Sequence, residues 1–97
     1  ERRVGFAFSE IYRGEFKLDK LYIHPDVQRR GVGGQLIGHV AARAKKLGYP
    51  CVILAVNKRN AKAIGSYQKY GFVVRESIVD DIGGGYVMDD YVMEKIL

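Results

Sequence analysis

Between Phe16 and Val56 the hydrophobic period of this chain changes twice, and that sequence of periods restricts the fold more than any other feature. Phe16 to His24 alternates as a strand does, with Leu21 and Ile23 on one face and Tyr22 and His24 on the other. Pro25-Asp26 ends it. From residue 32 to 47, Val32, Leu36, Ile37, Val40, Ala41, Ala44 and Leu47 recur at helical spacing, and Gln35, His39, Arg43, Lys45 and Lys46 take the other side. Gly48 and Pro50 close that helix. Cys51 to Val56 is then a continuous apolar run, the pattern of a strand covered on both faces. Strand, helix, strand in this order predicts a parallel βαβ unit with a right-handed crossover.

The flanks extend the same sheet. Val4 to Tyr12 is β-prone and bounded by a turn at Arg13-Gly14-Glu15. Asn57 or Asn60 caps a short helix over 60–70, with Ala63, Ile64 and Tyr67 on one face and Gly71 at its end. Phe72 to Val79 and Tyr86 to Ile96 read as two strands. The glycine-rich stretch Asp80 to Gly85 between them is long for a tight hairpin and reads as a mobile loop. The expected class is therefore α/β (α+β): a mixed sheet of about five strands with two helices, in the order β-β-α-β-α-β-β. A length of 97 residues suits one domain.

Several function classes drop out at this level. No apolar run approaches the roughly 20 residues that span a bilayer, and no signal-peptide pattern opens the chain. Cys51 is the only cysteine, so an internal disulfide is impossible and a reducing cytoplasm fits. At the start of an apolar strand it reads as core rather than nucleophile. Residues 1–75 hold 15 of the 16 Lys and Arg but 5 of the 11 Asp and Glu, a net charge of +10, whereas residues 76–97 carry −5. A basic body favours a polyanionic ligand, either nucleic acid or a phosphorylated cofactor. The nucleic-acid reading rests on charge alone, without a recognition motif or interleaved aromatic platform.

Gln28-Arg29-Arg30-Gly31-Val32-Gly33-Gly34, between strand and helix, carries the chemistry. Glycines let a ligand approach the backbone closely. The first amides of the helix lack internal partners and, with the helix dipole, form an anion site suited to a diphosphate. Arg29 and Arg30 can add charge-assisted contacts. A P-loop requires Gly-Lys-Ser/Thr where this chain has Gly34-Gln35-Leu36. A dinucleotide fingerprint requires Gly or Ala where Leu36 stands, and an acidic residue near Val56-Asn57. A capping loop without a ligand stays open on these grounds.

The segment Leu21 to Gly33 resembles the signature of the GNAT N-acetyltransferases: a strand, a proline turn, then Q/R-x-x-G-x-G/A entering a helix. Asn60, Ala63, Ile64, Tyr67 and Gly71-Phe72 are similar to the family's second pattern, N-x-x-A-x-x-x-Y-x-x-x-G-F. The resemblance covers residues 4–97 and implies acetyl-CoA as cosubstrate and a primary amine as acceptor, whether a small amine, a polyamine or a protein amino group. It also implies site roles. Backbone groups of Leu21, Tyr22 and Ile23 pair with the pantetheine arm in a V-shaped slot between splayed strands. Amides of residues 29–34, that is Arg29, Arg30, Gly31, Val32, Gly33 and Gly34, hold the diphosphate, with Lys58, Arg59 and Lys62 available to the ribose phosphate. Asn60 lies beside the pantetheine or caps its helix, or both. Tyr67 matches the general acid that serves the departing thiolate. Tyr70 reads as packing.

Two features depart from the family. Some members place a glutamate base five residues before the asparagine, where this chain has Ala55; Asp19, His24 and Glu10 are the remaining candidates. The strand and two helices, plus another strand, that usually precede the residue matching Val4 in the family are not found here, which points to a fragment or to completion by another copy. The sheet edge at residues 4–12 invites such pairing, so a homodimer is expected. A non-catalytic, CoA-binding domain is the alternative from another class.

Overall fold

The computed structural model describes residues 5–23 and 31–97. Five strands and two helices follow one another as β1 (Gly5–Tyr12), β2 (Glu15–Ile23), α1 (Val32–Lys46), β3 (Cys51–Asn57), α2 (Ala61–Lys69), β4 (Val73–Gly83) and β5 (Tyr86–Ile96). They form one sheet in the order β1-β2-β3-β5-β4. β2 and β3 pair in parallel and every other neighbour is antiparallel. This is the mixed sheet and element order expected from the sequence.

Alternation along the central strands sorts the side chains. Phe16, Leu18, Val52, Leu54, Val56 and Met93 turn to the helix-bearing face and pack with Ile37, Val40 and Ala44 of α1 and with Phe72. Phe72, Met93 and Val52 are fully buried, each contributing about 1.5–3 kcal/mol by leaving water. Helix α1 lies across β1, β2 and β3. Leu47, expected in its apolar stripe, is exposed because it follows the last helical turn as the C-cap. No helix among the described residues is long and apolar enough to cross a membrane.

Three register slips shape the sheet where the sequence shows none, one of them at Ile82 beside the last turn. Phe8 pairs with Lys20 and Ser9 with Leu18, so Asp19 is an extra residue in β2. Leu18 and Leu21 would face opposite sides of a regular strand, but the slip returns both to the helix-bearing side, where both pack on the core. On β4, Arg75 is likewise extra between Val74 and Glu76. Its guanidinium reaches Glu15 on β2 at 2.7 Å and Glu94 on β5 at 3.7 Å.

The connection between the last two strands differs from the expected mobile loop. β4 continues through Asp80 and Asp81 to Gly83, and only Gly84 and Gly85 remain as the turn. Both have positive φ, 63° and 80°, as a tight two-residue hairpin turn requires. The Asp81 carboxylate accepts from the Gly83 amide at 2.9 Å and fixes the entry to the turn. The acidic end of this hairpin extends past β3, whose last pair with β5 is Asn57 with Asp90.

Candidate active site

The parallel strands stay together only briefly. Their pairs are Phe16 with Val52 and Lys17 with Ile53, after which β2 runs on to Ile23 and β3 to Asn57 without pairing to each other. The result is a fork that opens toward the C-terminal ends of both strands. β1 covers the far side of β2 as far as Ile23. The slot expected at Leu21, Tyr22 and Ile23 falls on the stretch of β2 beyond its pairing with β3.

Helix α1 begins at the same end. Its N-cap, Gly31, sits in the left-handed region at φ 76°, where a side chain is disfavoured. Among the described residues no side chain caps this terminus, and its first turn holds no acidic residue. The Gln35 amide already bonds the Gly31 carbonyl at 3.1 Å. The amides of Val32, Gly33 and Gly34 precede it and have no carbonyl partner within the helix, the arrangement that favours anions at a helix start. Arg29 and Arg30, expected to add charge here, and the base candidate His24 lie outside the described residues.

Helix α2 supplies the opposite wall. Asn60 is its N-cap and accepts the Ala63 amide at 3.1 Å, while Asn57 accepts from Arg59 at 2.9 Å in the preceding turn. Capping thus uses the Asn60 oxygen and leaves its side-chain NH2 as a donor. Leu21, Gly31, Gly33, Asn60, Lys62 and Tyr67 line one cleft of about 530 Å³, together with Ala63, Ser66, Lys69 and Tyr70. Of the residues singled out in the sequence, those from the β2 end, the α1 start and α2 thus converge.

Among the described residues, Tyr67 is the only acid–base candidate named from the sequence that lines the cleft. Its ring packs edge-on against Phe72, centroids 5.7 Å apart at 66°. Burial pushes its phenol above the ordinary value, so it is the neutral, proton-donating form at neutral pH. Tyr70, read as packing, also lines the cleft. A Cβ on Gly34 would lie 3.5 Å from its ring, so Tyr70 covers the first turn of α1. Ser66 and Lys69 had no signal of their own. They stand four and seven residues after Lys62, on the same row of the helix.

Other candidates fall elsewhere. Tyr22 is exposed, and the Lys58 ammonium pairs with Asp89 at 2.6 Å and sits 5.4 Å from the Tyr91 ring. Glu10 and Asp19 hydrogen-bond to each other, and that bond raises the Glu10 carboxyl above its ordinary value; Lys17 lies 3.7 Å from Asp19. Neither carboxyl lines the cleft, and no described lining residue is a carboxylate or an imidazole. Among the described residues no cluster could hold a metal ion. A second hollow of about 300 Å³ lies at the fork on the reverse face of the sheet. Ile53, Ala55, Met88 and Val92 form its apolar floor, Arg13 and Lys17 stand on one side, and Glu76 and Asp80 on the other.

The chain is similar to known proteins. The model of the acetyltransferase (GNAT) family matches residues 1–72. The peptidyl-lysine N-acetyltransferase YjaB of Salmonella typhimurium is 40% identical over 84 residues, 86% of this chain and 52% of that protein. The ribosomal protein bS18-alanine N-acetyltransferase of the same organism is 33% identical over 72 residues, 74% of this chain and 49% of the relative. The crystal structure of PaiA N-acetyltransferase from Thermoplasma acidophilum, in complex with coenzyme A, superposes with a TM-score of 0.75 at 28% identity, over 97% of this chain and 54% of that one. The chain spans about half the length of the curated relatives it matches. With the forked sheet, the uncapped helix start and the Asn60–Tyr67 helix in one arrangement, the chain belongs to the acetyltransferase (GNAT) family.

Proposed function

We propose that this chain is the acetyl-CoA-binding part of an N-acetyltransferase. The observation that carries the reading is the α1 terminus. Its N-cap is a glycine, its first turn has no acidic residue, and it opens on the cleft that Tyr67 lines. The amides of Val32, Gly33 and Gly34 receive the diphosphate of acetyl-CoA, with Arg29 and Arg30, just before them in the sequence, and Lys62 and Lys69 supplying positive charge. The pantetheine amides pair with β2 at Leu21, Tyr22 and Ile23, along the fork and beside the Asn60 side chain.

The acceptor is a primary amine. Its nitrogen, in the neutral form, attacks the thioester carbonyl in a ternary complex, a main-chain N–H near Ile23 stabilises the oxyanion, the C–S bond breaks, the sulfur leaves with its electron pair, and the nitrogen gives up its extra proton to water. Tyr67 hydrogen-bonds to that sulfur. The acceptor enters from the reverse face, over Ala55 and between the Lys17 and Glu76–Asp80 walls, because that hollow reaches Ala55, just past the last β2–β3 pair. The acidic wall suits a cationic acceptor, and the lysine and alanine amino groups named for the two relatives make a protein amino group the first to try. The edge strand β1, with Ile11 and Tyr12 exposed, is the place for a homodimer contact; a single monomer mass in sedimentation across a dilution series rules it out.

Release of free thiol from acetyl-CoA by the full-length protein with an amine and peptide panel tests the catalytic reading. A second reading is a CoA-binding domain without turnover, favoured by the lack of a carboxylate or imidazole among the described lining residues. Coenzyme A binding with no thiol release from any acceptor selects it.

A further inference from the structure

Lys95 stands where an apolar residue belongs. On β5 it lies two residues from Met93, which is wholly buried, and opposite Val52 of β3, so it shares the helix-bearing face with the core. A charged side chain on such a face is informative because it needs a partner. Its ammonium donates to the Tyr70 carbonyl at 2.8 Å. Tyr70 is the C-cap of α2, and its carbonyl belongs to the negative end of that helix. The fit is close, since a Cβ on Gly71 would lie 2.6 Å from the Lys95 nitrogen.

Helix α2 has little else to hold it. None of its residues is fully buried, and Ala63, Ile64 and Tyr67 rest on the core only in part. The last turn closes on itself through Tyr70 to Ser66 and Tyr67, Gly71 to Gln68 and Phe72 to Tyr67 at 2.9–3.1 Å. Lys95 is a side-chain tie between that turn and the sheet. We infer that Lys95 is a positioning residue: by anchoring the Tyr70 carbonyl to β5 it fixes the end of α2, and with it the place of the Tyr67 phenol in the cleft. The inference rests on the catalytic reading only for its effect on turnover; the anchoring itself does not.

Two arms on the full-length protein test it. Hydrogen exchange is measured on the wild type and on Lys95→Met, which keeps bulk on an apolar face and removes the donor. The Tyr70, Gly71 and Phe72 amides exchange at least about tenfold faster in the variant, while β3 and α1 amides are unchanged. Unchanged exchange at the three amides overturns the anchor, whether or not the protein turns over. In the second arm, Lys95→Met lowers kcat about tenfold with KM for acetyl-CoA unchanged, and has no further effect in a Tyr67→Phe background. Additive losses overturn action through Tyr67. Lys95→Arg, which retains a cationic donor, restores most of both properties.

Discussion

Removing a single oxygen at Tyr67 separates chemistry from packing. Tyr67→Phe keeps the ring and its edge contact with Phe72, 5.7 Å between centroids, so the folded state loses little. The phenol lies above its ordinary value of 10.0 because burial disfavours the phenolate. A thiol leaving group has a pKa of about 8.5, so full proton transfer from this phenol is uphill by roughly 2 kcal/mol or more. Its contribution is therefore a hydrogen bond to a sulfur gaining negative charge, worth about 1.5–3 kcal/mol. That predicts a fall in kcat of about 10- to 150-fold. KM for acetyl-CoA and the melting temperature should stay near wild type. Thiol release under saturating acetyl-CoA measures it. A variant within about twofold of wild type on every accepted amine refutes the role, and equal losses in binding and kcat assign Tyr67 to the wall of the cleft instead.

The same phenol sets an alkaline response. The folded state holds its proton more tightly than the unfolded chain, so stability is retained below pH 10 and declines as pH rises through the folded value. Melting curves at pH 8 and 10.5 should show wild type losing more than Tyr67→Phe; parallel losses contradict this. Asn60→Ala removes a cap worth about 1 kcal/mol, whereas Asn60→Asp keeps the accepting oxygen and removes the NH2 donor. Asp should preserve melting and weaken acetyl-CoA binding, and equal binding in Asp and wild type limits Asn60 to capping. Glu76→Gln with Asp80→Asn should raise KM for a cationic acceptor severalfold and leave KM for acetyl-CoA alone; the reverse pattern places the acceptor elsewhere.

The elements that could be read from the sequence are those whose local signals agree with their packing. Residues 32–47 have helical period, a glycine stop and a core to cover, and Cys51–Val56 is apolar because it is central. The cofactor motif was legible because its glycines and the Asn60–Tyr67 spacing are local to α1 and α2. What failed to show depends on partners distant in sequence. The slip that turns Leu21 into the cleft exists only in the pairing of β1 with β2, since Asp19 looks like an ordinary strand residue. Asp80 to Gly83 resembles a loop by composition, yet pairing with Tyr86–Met88 makes it strand. Lys58 reads as a spare cation until Asp89 arrives beside it. Lys95 stands out only once its face is known.

Titration calorimetry of the full-length protein with coenzyme A bears most directly on whether the start of α1 grips a diphosphate. Wild type should give saturable heat at or below about millimolar ligand, the upper end of ordinary cofactor affinities, and Gly33→Glu, which sets a carboxylate at the buried helix start, should abolish it while far-UV dichroism remains unchanged. No heat from the wild type, or undiminished heat from a folded Gly33→Glu, contradicts the account.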